Sequence, residues 1–400
     1  MAHPIPAHST PADLADQEFR RDTPVGPARH ADTAHVLPDS LKGGGVEAGQ
    51  GGGAEPRHSG GAVVWRSRGE RVSLRWHLRP AIVAGVLIVL LLPLGVGVLT
   101  TGSMPLAPAD IWAALIGQGE GPAVRVIEGI RMPRLVAGVV VGAALGVSGA
   151  VFQAVSRNPL GSPDIIGFVS GSATGAIVAI IVFDAPARIV AASAVVAGLV
   201  VALVVGALTL RHGSGAGYRL VLVGIGAGAF LGAVNDLLLT RSQRDEAVGA
   251  QQWLVGTLNA RGWEEVLPTL VAVVVLLPIL VVLRSRLVML DLGDDAARQI
   301  GVPLGSLRVT SIAIAVVLAA FATATAGPIS FVALAAPQLV MRVGRSGTLS
   351  IVGSAAMGAV LLVASDLVSQ HLPLALAAPV GIVTAMLGGV YLLWLLSRGR

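Results

Sequence analysis

Two arginines flank a proline in Arg131-Met132-Pro133-Arg134, directly ahead of a long apolar run. The two stand at an outer membrane face, against the charge bias and therefore in need of a reason; snorkelling of both side chains to the interface is the bland one. A second cluster, Gly293-Asp294-Asp295-Ala296-Ala297-Arg298, is closed by Gly301 and Pro303. Acids in a first turn suit the helix dipole, and Gly followed by Pro stops a helix. A short, sharply bounded amphipathic helix is predicted there, with a solvated connector as the alternative. Three chain breaks complete the set. Asn158-Pro159 and Ser162-Pro163 make a sharp turn, in which Ser162 is expected to cap the next helix with Pro163 at its first position. Gly327-Pro328 breaks a second helix, and Pro337-Gln338 interrupts a third. Broken membrane helices persist where neighbours or a cavity satisfy the freed backbone groups, so a gate could be built there; a kink with no role is the bland reading.

Several chemistries are excluded by composition. Cysteine is absent, which removes disulfides, thiolate metal sites and cysteine nucleophiles. Lys42 is the single lysine and stands in Leu-Lys-Gly, so no phosphate-cradling Gly-Lys-Ser/Thr loop exists. Five of eight histidines (His3, His8, His30, His35, His58) are scattered through a Gly- and Pro-rich leading stretch. Asp236 and Asp366 are the only acids well inside apolar segments, both toward one end. A proton-driven transporter keeps such groups where they work, and no central relay is seen. No catalytic, cofactor-binding or metal-ligating constellation is predicted in this chain.

The elements that must position these residues are membrane helices. Hydrophobic residues make up 54% of the 400 and charged residues only 13%, against about 25% charged in soluble domains. Residues 1–64 read as a disordered polar tail, 65–79 as a basic juxtamembrane segment and 80–398 as the membrane domain. Ten apolar spans of near-bilayer length are predicted at about 80–100, 135–155, 165–183, 187–210, 219–240, 266–283, 309–326, 329–343, 349–370 and 379–396. Segment 107–117 is amphipathic and too short to span. With both termini inside, 16 arginines fall in inner segments and 7 in outer ones, as the positive-inside rule requires. The arginines sit in short loops, a topology signal rather than one for nucleic acid. Gly138, Gly142 and Gly146, and again Gly224, Gly228 and Gly232, recur at four-residue spacing; close helix packing accounts for most of them, with a lined pathway as the functional reading.

Taken in order, these stretches resemble the permeases of bacterial ABC importers for iron siderophores, haem and cobalamin. The likeness runs from about Leu78 to Arg398. It rests on R-x-P-R at 131–134, S-G-A-x-x-Q at 148–153, N-P-L-x-x-P from Asn158, Trp253-Leu254-Val255-Gly256, the L-G-x-x-x-A-R-x-x-G loop ending at Gly301, and Pro379-Val380-Gly381. The variants Gly161-Ser162-Pro163-Asp164, Gly293-Asp294-Asp295 and Gly327-Pro328-Ile329-Ser330 are similar to the second permease subunit of ferric-enterobactin systems.

The resemblance implies an all-α, ten-helix subunit that pairs with a second permease, a heterodimer being favoured over a homodimer. It implies ABC ATPase subunits that carry the ATP, an extracytoplasmic siderophore-binding protein and a ferric-siderophore substrate. Arg131 and Arg134 are expected to meet acids of the binding protein. The helix at about 293–301 is expected to dock in the ATPase. Asn158, Pro159, Gly217, Tyr218, Gly327, Pro328, Pro337 and Gln338 are expected along the gate and pathway. Three positions depart from the family pattern: Gln338 for a histidine, Gln370 for a third outer arginine, and Ala377-Ala378-Pro379 for Glu-Leu-Pro. A stand-alone secondary transporter or exporter is the competing function.

Overall fold

In the computed structural model, residues 62–66 and 73–397 are described, apart from positions 103, 105, 120, 211–215, 348 and 373–377. The five tail histidines and Lys42 lie outside the described residues, as does Ala377. Two short strands open the chain, β1 (Ala62–Arg66) and β2 (Ser73–His77), paired antiparallel with Val64 opposite Arg75. The first lies largely within the predicted tail and the second within the predicted basic segment. Everything after them is helical.

The helices run as α1 (Leu78–Thr100), α2 (Pro108–Leu115), α3 (Pro122–Val126), α4 (Met132–Ser156), α5 (Phe168–Ile181), α6 (Ala187–Leu210) and α7 (Ala216–Arg241), then α8 (Arg244–Val255), α9 (Trp263–Met289), α10 (Asp294–Gln299), α11 (Leu304–Ala326), α12 (Val332–Val343), α13 (Ile351–His371) and α14 (Val380–Ser397). Seven helical segments are long and apolar enough to cross a membrane, and α5, α12 and α14 are shorter apolar helices. Together they match the ten predicted spans, and the chain is a polytopic all-α membrane protein. The amphipathic 107–117 segment forms α2, with Pro108 at its first position and Asp110 in its first turn.

The core is built around α4, which is buried for most of its length and packs on α13, α11, α12 and α9. Small residues permit this. A Cβ at Gly142, Gly146 or Gly149 would overlap the carbonyl oxygens of Gly358, Ser354 and Ala333 respectively. Backbones in van der Waals contact maximise dispersion where lipid supplies no hydrophobic drive. The first glycine series is thus packing. The second is buried at Gly224 but looser further on: no atom lies within 4 Å of a Cβ at Gly232, and only Ser170 Oγ, at 3.4 Å, approaches one at Gly228.

Helix α4 spans about 37 Å at 1.5 Å per residue, more than the roughly 30 Å of a bilayer core. Arg131 and Arg134 stand at one of its ends and Arg157 at the other. The α4 helix therefore joins the two faces on which the charged clusters lie.

Candidate functional site

At the start of α4 the two arginines are engaged inside the chain. A π-turn, Ile127–Arg131, leads into the helix and turns Arg131 inward. Arg131 is 5% exposed. Its Nη1 donates to Leu99 O at 2.5 Å and its Nη2 to Met104 O at 2.5 Å. Those carbonyls lie at and just beyond the end of α1, where helix oxygens lack intrahelical partners and a cation is favourable. Arg134 meets Asp366 of α13 in a two-bond fork, Nε to Oδ2 at 2.9 Å and Nη2 to Oδ1 at 2.8 Å. Gln370 Nε2 adds a third bond to Oδ2 at 2.8 Å. So Gln370 supports the carboxylate that holds Arg134.

Arg131 is a staple between α1 and α4, two of its donors going to the Leu99 and Met104 carbonyls. Of the pair, only Arg134 keeps partial exposure, 20% of its side chain. The exposed cations toward this face are Arg125, Arg241 and Arg244, which the sequence reading did not single out. Arg188 is exposed too and pairs with Glu264 across the α6 and α9 starts. The other intraspan acid, Asp236, is exposed, with no ion-pair partner among the described residues.

Three of the distant motifs meet near this face. Thr257 N donates to Ala326 O at 2.7 Å, and Gly381 N donates to Gly256 O at 3.3 Å. A Cβ at Gly327 would stand 2.7 Å from Trp253 O, one at Gly256 would overlap Pro328 O, and one at Gly381 would overlap Val255 O. Gly256 and Gly327 have φ of +72° and +75°, a region other residues adopt only under strain. The Trp253–Gly256, Gly327-Pro328 and Pro379–Gly381 stretches thus form one backbone knot.

Below it, Pro337 removes a donor from α12. The carbonyl this frees, on Ala333, lies against Gly149, where no side chain would fit. Gln153 Nε2 donates to Leu334 O at 3.0 Å, and Gln338 Nε2 donates to Gln153 Oε1 at 2.7 Å. The departure at Gln338 is therefore a polar lock between α4 and α12. At the other break, Asn158 Oδ1 accepts from Leu160 N at 2.9 Å, closing the turn. Ser162 is extended and precedes a 3-10 turn, Pro163–Ile166; its side chain makes no capping bond, contrary to expectation. Burial pushes the carboxyl of Asp164 in that turn up to about 6. Gly217 and Tyr218 lie in the first turn of α7.

The opposite end of α4 holds the short predicted helix. Gly293 at φ +93° starts α10 and Gly301 at φ +82° follows it. Gly301 N donates to Arg298 O at 2.9 Å and Val302 N to Ala297 O at 3.0 Å, the double bond of a Schellman stop. Asp294 accepts from Arg308 Nη2 of α11 at 2.7 Å and pairs with Arg157 at 3.2 Å. The Arg308 bond, with the charge of Arg308 and Arg157, holds the Asp294 carboxyl below its ordinary range. The α10 helix is clamped to both α4 and α11 at once.

Ala297 is fully buried against the protein. The exposed side chains are Asp295, Arg298 and Gln299, flanked by Leu292 at 65% and Ile300 at 56% exposure. Two large apolar side chains beside a charged helix tip are what a partner protein would cover. The signal was present in the sequence as Leu292 and Ile300, seven and one positions from Gln299. Among the described residues no three acidic or imidazole groups converge to hold a metal.

Comparison with known proteins fits this architecture. The chain is 40% identical over 304 residues to the ferric enterobactin transport system permease protein FepG of Escherichia coli K12, covering 76% of this chain and 92% of that one. It is 32% identical over 333 residues to the hemin transport system permease protein HmuU of Yersinia pestis, covering 81% and 98%. A solved structure of a metal-chelate type ABC transporter in an inward-facing conformation superposes with a TM-score of 0.71 at 28% identity, covering 80% of this chain and 99% of that one. The FecCD transport family matches residues 86–398, nearly the whole bundle from α1 to α14, and it is to this family of transport permeases that the chain belongs.

Proposed function

We propose that this chain is a permease subunit of an ATP-driven importer of ferric siderophores in the cell's inner membrane, with both termini cytoplasmic. The observation that carries the reading is the 40% identity to a ferric enterobactin permease over nearly all of that relative. The clamped α10 helix supports the coupling part. A permease with no phosphate-binding loop must be driven through contact, and contact transmits force only through a rigid element.

In this reading a separate ATPase covers the α10 tip, with Leu292, Asp295, Arg298 and Ile300 as its contact. A second permease subunit completes the pore against the glycine face of α7, where Gly228 and Gly232 stand open. An extracytoplasmic binding protein docks at the Arg134 end of α4. A binding-protein carboxylate would have to compete with Asp366 there, while Arg125 is exposed with no ion-pair partner among the described residues. Substrate passes between the two permeases, so the chain needs no active site.

The test is uptake of labelled ferric siderophores of several classes by a strain lacking this gene, with and without the restored chain. Restored uptake that stops on ATP depletion and survives a proton uncoupler is expected. Uptake that stops with the uncoupler while ATP is held constant overturns the proposal.

A further inference from the structure

At the Asp294 face, away from α10, the start of α1 and the end of α12 enclose a cleft of about 300 Å³ lined by Arg79, Ile82, Val83, Val343, Gly344 and Arg345. Both arginines are exposed, and among the described residues neither has a carboxylate within ion-pair distance. They stand at the ends of the spans. Arg79 opens α1 one turn before Ile82 and Val83; Arg345 follows Gly344, the cap of α12, with a left-handed φ of +44°. The apolar members lie within the spans, with Ile82 54% and Val343 61% exposed. No acid occupies the first turn of α1, so the positive end of its dipole adds to the arginines.

The chain leading in reinforces this. Arg66, Arg68, Arg71, Arg75 and Arg79 stand against one acid, Glu70, in residues 66–79, and β2 ends at His77, directly before α1. Clusters of this kind beside a membrane helix attract anionic lipid. The chemistry selects an amphiphile. A soluble phosphate would use the arginines but leave Ile82 and Val343 bare. A zwitterionic lipid would bring its own cation against Arg79 and Arg345.

We infer that the Arg79–Arg345 cleft binds the headgroup of an anionic phospholipid whose acyl chains lie along Ile82 and Val343. Such a lipid bridges α1 and α12, two helices that carry the Arg131 staple and the Pro337 kink. The inference rests on the membrane architecture and is independent of the cargo.

The experiment uses the full chain, delipidated in a neutral detergent. Phosphatidylglycerol, phosphatidylcholine or inorganic phosphate is added, and retained lipid is counted by native mass spectrometry. Phosphatidylglycerol should be retained about tenfold better than phosphatidylcholine, and Arg79→Gln with Arg345→Gln should lose about that factor. Arg79→Lys with Arg345→Lys should keep most of it. Equal retention of the two lipids overturns the proposal, as does unchanged retention by the double glutamine variant. Release of the lipid by inorganic phosphate assigns the site to a soluble anion and overturns it too. Should the glutamine variant not fold, Ile82→Trp gives a second readout with the arginines intact. Brominated phosphatidylglycerol should quench its added fluorescence more than brominated phosphatidylcholine, and equal quenching refutes the site.

Discussion

Arg134 on α4 and Asp366 on α13, 232 positions apart in the chain, face one another through two parallel N–H···O bonds of 2.9 and 2.8 Å. Asp366 is 2% exposed, and Gln370, also of α13, adds a second bond to its Oδ2. The pair closes the end of the most intimate helix contact in the bundle. A carboxylate that looked out of place in an apolar span is thus the counterion of an arginine that looked out of place on the other side of the charge bias.

Breaking that pair from one side should be costly. Arg134→Leu leaves a buried carboxylate without its cation, a loss of about 3–5 kcal/mol. Arg134→Leu with Asp366→Leu should be milder than the single change. Thermal unfolding in detergent decides it: a double variant no more stable than Arg134→Leu would show that the pair is not coupled.

The same residues test docking. Asp366→Asn weakens the hold on Arg134, so if a binding protein's acid uses that arginine, capture of the loaded binding protein should strengthen. Arg125→Glu should weaken capture at low salt, with the difference fading as salt rises. Surface plasmon resonance across a salt series reads both. Capture indifferent to both changes would remove this end of α4 from the docking surface.

Glycine positions should divide sharply. Gly146→Val drives a side chain into Ser354 O, and helix α4 cannot retreat without parting from α13; folded protein should not accumulate. Gly232→Ala meets nothing within 4 Å in this chain, so the fold should survive while assembly with a second permease suffers. Size-exclusion chromatography with each variant distinguishes the two outcomes.

The α10 clamp predicts a third separation. Ala297→Trp should damage folding, because that side chain points into the core. Arg298→Glu should leave the fold intact and reduce co-purification of an ATPase and ATP-driven uptake together. Asp294→Asn keeps the shape but gives up two arginine contacts, and should loosen α10 in hydrogen exchange. Normal complex and uptake in both Arg298→Glu and Ile300→Glu would mean this helix is not the coupling element.

Asp164 gives a pH signature. Its raised value means the folded state favours the protonated carboxyl, so its charge costs stability as pH rises from about 4 through about 6. Asp164→Asn should raise the melting temperature at pH 7.5 and leave it unchanged at pH 4. Asp294 has the opposite sign: its held-down carboxyl contributes stability above its ordinary value near 3.8, lost only in stronger acid. Melting curves of the two asparagine variants across pH 3.5–8 should therefore diverge, and parallel curves would refute the assignment.

Ten spans, the bounds of α10 and the reason for Gly142 and Gly146 were legible in the chain, because each depends on neighbours within a few residues. Apolar run length sets a span, Gly293 and Gly301 set helix ends, and four-residue spacing sets one helix face. The tertiary structure alone decided what the charges do. Arg131 turns inward because a π-turn rotates it toward Leu99 O, and no local signal fixes that rotation. Arg134 meets Asp366, Gln338 meets Gln153 and Asp294 meets Arg157 and Arg308 only once helices far apart in sequence lie side by side. Ala297 points in and Ile300 out for the same reason: a six-residue helix has too little apolar pattern to declare its face, so the side against which α4 and α11 pack chooses it.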